Sequence, residues 1–395
     1  MNISKEDIRN KARELGFEDA GFTGCEPFED HREVLEARRD MYEWCVSLGL
    51  DLFQGTDPRA VYPECRSIIV LLENYFREGF PRGLETHYGR CYLDDDRVTR
   101  DGLAVRLKAF RAFLKEHGMD SKVPFHVPHR LAAARAGLGT FGKNCLFYGH
   151  RAARGSSFVL PLAFLVDRDF EPDAPTVSVG CPEWCRNACI SACPTGALKG
   201  PRKIDPRRCI SYLSYYGNDL TPVELREPMG LWVYGCDRCQ NVCPRNQAWL
   251  AADRPVNERV RARAAHFDLR EILNMDTAYY TANVWPHMFY MPPEDLWRWQ
   301  MNAARAMGNS LDPTYVSSLA RGLAEAGDWR VRAMCAWSLG RIGTCGAGEA
   351  LEAAREGSDT AVRGEIEAAR IVYASRQALA RRTDRKDGID IPGAE

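Results

Sequence analysis

The sequence contains no uninterrupted apolar run close to the roughly 18 residues that a membrane-spanning helix needs. It also has no excess charge of one sign, since 53 Lys and Arg stand against 54 Asp and Glu. This balance argues against a surface built as a whole to bind polyanions. Residues 1–17 carry charges where a signal peptide has its apolar core. We therefore expect a cytoplasmic protein without membrane contact.

The N-terminal part of the chain has the pattern of mixed α/β structure. Two nearly continuous apolar runs are typical of buried strands, and three other segments carry helix signals. The strands are predicted at 67–76 and 158–166, and the helices at 4–16, 103–113 and 128–139. The first of these helices begins at a capping box formed by Ser4 and Asp7. We predict one α/β domain over residues 1–175.

Cysteine is abundant, with 15 residues, and eight of them fall within 181–243. A long chain in a reducing compartment keeps its thiols free, so such a cluster indicates metal binding. The surrounding segment, 176–248, has only short apolar stretches, and a metal cluster would supply the stability that a core cannot. Both cysteine runs close with the pattern Cys-x3-Cys-Pro, at Pro194 and Pro244.

In bacterial two-cluster ferredoxins, the last cysteine of such a run ligates the other cluster. This crossover divides the eight cysteines into two complete sets. The first predicted [4Fe-4S] site is Cys181, Cys185, Cys189 and Cys243, and the second is Cys193, Cys209, Cys236 and Cys239. Structural zinc is the alternative, because it also takes four cysteines with paired spacing. The interleaved runs favour a ferredoxin-like segment that relays electrons, although the first run has an unusual x3-x3-x3 spacing.

The C-terminal part repeats at intervals of 31 and 32 residues. The matched positions are Ala304 with Ala336, Gly308 with Gly340, and Asp328 with Asp359. Helical repeats of this length predict a small α-helical HEAT-like array over 301–375. We expect a connecting helical segment over 249–300 and a polar tail over 376–395.

With these features in place, the whole chain resembles the epoxyqueuosine reductase family. The resemblance is carried by Asp57-PRAVYPECRSIIVLLENYF, Ala134-RAGLGTFGKN, Cys193-PTGAL, Cys209-ISYL, Gly235-CDRCQNVCP, Ala303-ARAMGN and Ala336-WSLGRIG. Members of this family use two [4Fe-4S] clusters and a cobalamin, and they are related to reductive dehalogenases. The resemblance therefore implies an α/β domain of the corrinoid-binding type, holding a base-off cobalamin. It also implies a low-potential electron donor such as ferredoxin or flavodoxin.

The same resemblance suggests where the corrinoid lies. The residues expected in its vicinity are Gly137, Gly139, Gly142, Lys143 and Asn144. The three glycines satisfy the pattern G-x-G-x-x-G, but they follow a predicted helix, whereas a dinucleotide-binding loop follows a strand. We interpret them as a tight turn that lets the backbone approach another group closely.

One position departs from the family pattern. Members that reduce epoxyqueuosine carry an acidic residue ahead of the helix that leads into Ala-Gly-Leu-Gly, and here that position is Val123. An oxygen leaving the substrate still needs a proton. His126 and His129 lie in the same segment and belong to the residue type that titrates near neutrality. They are the candidate catalytic residues, and the alternative is that both are loop or cap histidines.

Three functions are compatible with these observations. The leading hypothesis is a cytosolic oxidoreductase of this family whose substrate is open. The first alternative is the tRNA epoxyqueuosine reductase of queuosine biosynthesis itself, with a replaced proton donor and a HEAT-like tail suited to folded RNA. The second alternative is an electron-transfer protein without a substrate, although such a carrier would not need the full α/β domain.

Overall fold

A computed structural model of the chain describes residues 3–95, 102–176, 180–356 and 358–387, with side chains as far as residue 378. These residues form two compact units. The first unit comprises residues up to 81, 90–209 and 236–258, and the second comprises 82–89, 210–235 and the chain from 259 onward. All eight cysteines of the predicted cluster sites belong to the first unit. The sequence-based domain limits remain predictions.

The secondary structure is predominantly helical. The strands are β1 (Asp19–Gly24), β2 (Ser67–Asn74), β3 (Ser121–Lys122), β4 (Gly139–Phe141), β5 (Phe147–Gly149), β6 (Val159–Val166), β7 (Leu198–Gly200) and β8 (Lys203–Ile204). The α-helices are α1 (Lys5–Glu14), α2 (Glu29–Glu36), α3 (Arg39–Tyr42), α4 (Trp44–Ser47), α5 (Pro58–Val61), α6 (Arg82–His87), α7 (Arg90–Leu93), α8 (Gly102–Glu116), α9 (His129–Arg135), α10 (Ala188–Ser191), α11 (Ile210–Tyr215), α12 (Val223–Arg226), α13 (Arg238–Asn241), α14 (Pro244–Leu250), α15 (Glu258–Ala262), α16 (Leu269–Asn274), α17 (Thr277–Tyr279), α18 (Leu296–Ser310), α19 (Val316–Glu325), α20 (Trp329–Ile342), α21 (Cys345–Ala353) and α22 (Thr360–Asp387). In the described ranges, every helix is too short or too polar to traverse a lipid bilayer.

The first unit is built on an antiparallel sheet with the strand order β1-β2-β6-β3. The two strands predicted from apolar runs, β2 and β6, pair along their length, from Ser67 opposite Val166 to Asn74 opposite Val159. All eight residues of β2 are buried, which explains why its sequence shows no polar alternation. The predicted α/β class of this region is confirmed.

Helices α1 and α8 help to build the core of this unit. The Ser4 hydroxyl accepts a hydrogen bond from the Asp7 N–H, and the Asp7 carboxylate accepts one from the Ser4 N–H, as the capping box predicts. Helix α1 ends beside Gly16, whose φ of +84° is the left-handed conformation that glycine favours. Phe17 and Phe110 are fully buried and pack edge to face, with ring centroids 6.4 Å apart.

The C-terminal helices of the second unit form the predicted HEAT-like array. Helices α18, α20 and α22 pack in sequence, and α19 and α21 pack on them. A Cβ at Gly308 in α18 would lie 2.5 Å from the Ser338 hydroxyl in α20, and a Cβ at Gly340 in α20 would lie 2.6 Å from the Ala369 carbonyl oxygen in α22. The repeated glycine therefore marks the same close helix contact in successive repeats.

The aspartates that repeat at an offset of 31 begin equivalent helices. Asp328 accepts a hydrogen bond from the Arg330 N–H at the start of α20, and Asp359 accepts one from the Val362 N–H at the start of α22. Helix α22 continues without interruption past residue 376, the predicted start of the polar tail. Residues 388–395 of that tail lie outside the described residues.

Candidate iron–sulfur centre and active site

The two Cys-x3-Cys-Pro runs adopt the same local structure. Each places one cysteine in a four-residue helix, Cys189 in α10 and Cys239 in α13. The closing cysteine of each run is hydrogen-bonded to the helix before it. The N–H of Cys193 donates to the Ile190 carbonyl at 3.2 Å, and the N–H of Cys243 donates to the Gln240 carbonyl at 3.1 Å. The two helices pack against each other, so residues distant in sequence become neighbours.

Four cysteines gather in the first group. Burial and, to a smaller extent, the charges of Cys243, Cys185 and Cys181 together raise the pKa of Cys189 to about 11. These are the partners that the ferredoxin crossover predicts, and Cys243 comes from the second run. Binding to iron requires thiolates, so the energy of cluster assembly must overcome this preference for the protonated thiol.

A second group lies beside the first. Burial raises the pKa of Cys236, and the nearby thiols of Cys209 and Cys193 act in the same direction. Burial is also the main cause that raises the pKa of Cys239. The charges of Cys236 and Cys209 raise it as well, and Cys189 makes a smaller contribution in the same direction. Because Cys189 belongs to the first group, its effect on Cys239 shows that the two groups are adjacent.

The donor set suits clusters that contain several metal atoms. No three His, Cys, Asp or Glu side chains in the described parts of the chain converge as ligands of one metal ion. The cysteines of a [4Fe-4S] cluster bind four different iron atoms, so they stand farther apart than the ligands of a single ion. Two adjacent groups of four thiols therefore fit two such clusters.

Hydrogen-bond donors reach the sulfurs of the first group. The backbone N–H of Lys143 lies 3.3 Å from the Cys181 Sγ. The hydroxyl of Tyr148, in β5, donates to the Cys243 Sγ at 3.1 Å. Burial and the neighbouring Cys243 raise the pKa of Tyr148, so this phenol keeps its proton and acts as a donor. Such hydrogen bonds stabilise thiolate sulfur.

Tyr148 is itself held in place by its neighbours. The Asn144 side-chain amide donates to the Tyr148 hydroxyl at 3.0 Å, and the Arg245 guanidinium lies 4.5 Å from the centre of its ring. Sequence reasoning named Lys143 and Asn144 for the corrinoid vicinity but missed Tyr148 and Arg245. Arg245 directly follows the Cys243-Pro244 closure, and this adjacency is the signal that could have identified it.

A buried ion pair borders the second group. Asp237, between Cys236 and Arg238 in sequence, accepts hydrogen bonds from both the backbone and the side chain of Arg90, at 2.9 and 3.0 Å. Both side chains are almost entirely buried. The Gln240 side chain donates to the same carboxylate at 3.0 Å. This network fixes the helix that carries Cys239, and the sequence alone did not indicate it.

The glycine turn packs against its own chain. A Cβ at Gly139 would lie 2.1 Å from the Tyr148 carbonyl oxygen, and one at Gly142 would lie 2.5 Å from the Tyr148 ring. A Cβ at Gly137 would lie 2.4 Å from the Ala174 carbonyl oxygen. The close approach predicted for these glycines is thus made by the protein itself, and their role near a corrinoid remains a prediction.

The two candidate histidines differ in their surroundings. His129 accepts a hydrogen bond from the Ala163 N–H at its Nδ1 (3.1 Å), so its Nε2 carries the proton and donates to the Pro124 carbonyl at 2.7 Å. The Nε2 of His126 is buried and has no hydrogen-bond partner among the described residues. His129 therefore links the loop at Pro124 to β6 through hydrogen bonds of both ring nitrogens, whereas the Nε2 of His126 is available to bond another group.

Val123, at the position that is acidic in the family, contributes to the hydrophobic core in this chain. Val123 is partly buried and packs against the hydrophobic core of the first unit. The backbone of His126, three residues later, lies so close to Gly55 that a Cβ there would stand 2.1 Å from the His126 carbonyl oxygen. Only glycine fits at position 55, and it fixes the path of the His126 loop.

Comparisons with known proteins agree with this architecture. Residues 181–246 match the family model described as a 4Fe-4S double cluster binding domain, and residues 295–370 match HEAT repeats. The protein is therefore an iron–sulfur protein with two [4Fe-4S] clusters and a helical-repeat C-terminus. The prediction of two clusters is confirmed, while the division of the eight cysteines between them remains a prediction.

Relatives extend the similarity over most of the chain. The epoxyqueuosine reductase of Leadbetterella byssophila is 30% identical over 259 residues, covering 62% of this chain and 81% of that protein. That of Bacillus cereus is 28% identical over 374 residues, covering 89% and 92%. A crystal structure of epoxyqueuosine reductase with an epoxyqueuosine-modified tRNA-Tyr stem loop is 26% identical, with a TM-score of 0.74 over 94% of this chain and 98% of that one. The chain belongs to the epoxyqueuosine reductase family and is an oxidoreductase.

Proposed function

We propose that this protein reduces the epoxide of epoxyqueuosine in tRNA. The reaction consumes two electrons and two protons, and it converts the epoxide into an alkene while the oxygen leaves as water. The observation that carries the proposal is the packing of α10, which bears Cys189, against α13, which bears Cys239, because it brings the two cysteine groups side by side. It provides an electron path inside a chain that is similar over most of its length to named epoxyqueuosine reductases.

The first unit supplies the ligands for both clusters in this proposal. Cys181, Cys185, Cys189 and Cys243 hold one cluster, and Cys193, Cys209, Cys236 and Cys239 hold the other. The N–H of Lys143 and the hydroxyl of Tyr148 stabilise the thiolates of the first group. Family membership further implies a cobalamin, which would deliver the electron pair to the substrate when bound. The space beside the glycines predicted near it is filled by other parts of the chain.

His126 is the proton donor that the geometry favours. The family's acidic position is Val123, which packs on the core and cannot donate a proton. Both ring nitrogens of His129 are engaged with the backbone. The Nε2 of His126 has no hydrogen-bond partner within the described ranges of the chain, and a protonated imidazole can transfer its proton to a departing oxygen.

A direct assay tests the substrate. Protein purified without oxygen, with both clusters, added cobalamin and excess dithionite as the source of electrons, should convert an anticodon stem loop carrying epoxyqueuosine into one carrying queuosine. The product is measured by mass spectrometry as the loss of one oxygen atom. If a preparation with complete clusters and bound cobalamin binds the stem loop but leaves it unchanged, the proposed substrate is wrong. If active protein contains no cobalt, the reaction does not require a corrinoid.

Substitution of the histidines tests the proton donor. His126→Ala should lower kcat at least tenfold while iron content stays complete, because general acid catalysis typically contributes about 100-fold or more. The matched control is His150→Ala, which removes an exposed histidine of the same unit. His129→Ala should mainly lower stability, since that ring joins two backbone segments. Unchanged turnover of His126→Ala would contradict its role.

A further inference from the structure

The loop between the first two cysteines presents an exposed aromatic side chain. Trp184 lies between Cys181 and Cys185, and it is 69% exposed. This loop is one residue longer than the two-residue spacing typical of ferredoxin runs. Two residues after Cys185, Asn187 adopts a left-handed conformation with a φ of 59° and is the N-cap residue of α10. Trp184 therefore presents a large apolar ring to solvent directly beside Cys185.

A basic hairpin lies nearby in the same unit. Strands β7 and β8 are joined by a two-residue turn, and Arg202 in this turn has a φ of 59°, where glycine or asparagine is preferred. Arg202 and the adjacent Lys203 are exposed, and no ion pair of either residue is found among the described residues. The strained backbone thus holds two free positive charges at the tip of the hairpin.

Lys143 joins the two features. Its side-chain ammonium donates to the Cys185 carbonyl at 3.3 Å, and its own carbonyl accepts the Arg202 N–H at 2.9 Å. The Trp184 loop and the hairpin tip are therefore attached to one residue, which also donates to the Cys181 sulfur. We define the Trp184 surface as Trp184, Arg186, Arg202 and Lys203, all of which are exposed.

We propose that the Trp184 surface is the docking site of an acidic one-electron carrier protein. This inference rests on the proposed cluster ligands, since Trp184 and Arg186 flank Cys185, and the hairpin lies between Cys193 and Cys209. Electron transfer weakens steeply with distance, so a donor must bind where ligand loops reach the surface. Complexes between electron-transfer proteins are small and are guided by complementary charge. A single exposed tryptophan can serve as their apolar anchor.

The carrier supplies the electrons one at a time. Each docking event oxidises the carrier by one electron and reduces one cluster from its 2+ to its 1+ state. Two events supply the electron pair that, with two protons, the epoxide reduction consumes. RNA is the competing occupant of a basic and aromatic surface. Single-stranded RNA is bound by several aromatic side chains on which successive bases stack, whereas Trp184 is the one aromatic residue among the four that define this surface, and this difference favours the carrier.

Stopped-flow reduction of the clusters, followed by loss of their visible absorbance without substrate, tests the docking site. The donor is flavodoxin hydroquinone, an acidic flavoprotein. Arg202→Glu/Lys203→Glu should lower the second-order rate at least tenfold at low salt, and high salt should shrink this difference. Trp184→Ala should lower the rate several-fold at every salt concentration. The matched control, Arg59→Glu/Lys115→Glu, reverses two exposed charges of the same unit and should react like the wild type.

Two further measurements make the outcome unambiguous. Dithionite should reduce the clusters completely in every variant, and the dissociation constant for the tRNA stem loop should not change. Equal flavodoxin rates in wild type and variants would overturn the proposal. Loss of stem-loop affinity with an unchanged flavodoxin rate would assign the surface to RNA instead. Because cluster reduction is followed without substrate, the test remains valid if the proposed substrate is wrong.

Discussion

The hydroxyl of Tyr148 lies 3.1 Å from the sulfur of Cys243 and donates a hydrogen bond to it. Tyr148 belongs to a short hairpin of the first unit, and Cys243 closes the second cysteine run almost a hundred residues later. The contact therefore connects the α/β region to the cysteine-rich segment through the sulfur itself. Hydrogen bonds to cluster sulfurs are one of the means by which proteins set reduction potential.

Removal of this hydrogen bond should lower the potential of the cluster. Tyr148→Phe keeps the ring but loses the donor, which destabilises the more negative, reduced state. A net hydrogen bond of about 1 kcal/mol corresponds to roughly 40 mV for a one-electron couple. Potentiometric titration followed by EPR measures the shift. Tyr62→Phe removes a hydroxyl elsewhere in the unit and should leave the potentials of both clusters unchanged. An equal shift in this control would show that the hydrogen bond from Tyr148 to Cys243 does not set the potential.

The buried pair of Arg90 and Asp237 should be essential for the second cysteine group. Asp237→Ala leaves a buried guanidinium without its carboxylate, and breaking such a pair costs about 3–5 kcal/mol. We expect a lower denaturant midpoint for loss of cluster absorbance and faster loss of iron. The exposed pair of Arg66 and Asp169 is the control, because Asp169→Ala should cost under about 1 kcal/mol. If Asp237→Ala and Asp169→Ala lower the denaturant midpoint and the iron content equally, the buried pair has no special role at the second cysteine group.

Asp173 should stabilise the first unit independently of pH near neutrality. Burial opposes ionisation of Asp173, but hydrogen bonds from Lys5, the Phe22 N–H and Arg9 outweigh it and lower its pKa. A lowered pKa contributes stability above the unfolded value of about 3.9, which is lost as pH falls through the folded value. Asp173→Asn should therefore cost about 2 kcal/mol, and the deficit should be constant from pH 5 to pH 8. A deficit that grows or disappears within this range, measured by urea unfolding, would contradict the argument.

The repeated glycine of the helical array should tolerate no side chain. Gly340→Ala places a methyl group 2.6 Å from the Ala369 carbonyl oxygen, and overpacking costs about 1–3 kcal/mol. Gly364→Ala is the control in α22, because no atom of the described residues lies within 4 Å of its Cβ. That change should stabilise the protein by up to about 1 kcal/mol through helix propensity. Thermal unfolding should move in opposite directions for the two variants.

Much of the fold could be predicted from local patterns. The apolar runs of β2 and β6 predict buried strands because both of their faces lie against other parts of the protein. The capping box at Ser4 predicts a helix start because its hydrogen bonds involve only neighbouring residues. The glycines at 308 and 340 predict a repeat because each close helix contact demands the same missing side chain.

The candidate site was only partly predictable. Cysteine spacing indicates two cluster sites because iron ligation restricts which positions in a run can serve. The same spacing contains no information about Tyr148, since its contact with Cys243 arises from packing between distant segments. The histidines show the limit most clearly, because His126 and His129 are equivalent by residue type and differ only in what surrounds their nitrogens.

The cysteine runs, the apolar strands, the helix caps and the repeat interval can be predicted because each is a pattern in the order of the residues. Which sulfurs receive hydrogen bonds, which buried charges are paired and which imidazole nitrogen has no partner among the described residues follow only from the three-dimensional packing. It also decided that Lys143 joins the Trp184 loop to the hairpin of Arg202. These relationships join segments distant in sequence, and only packing in three dimensions brings their atoms within contact distance.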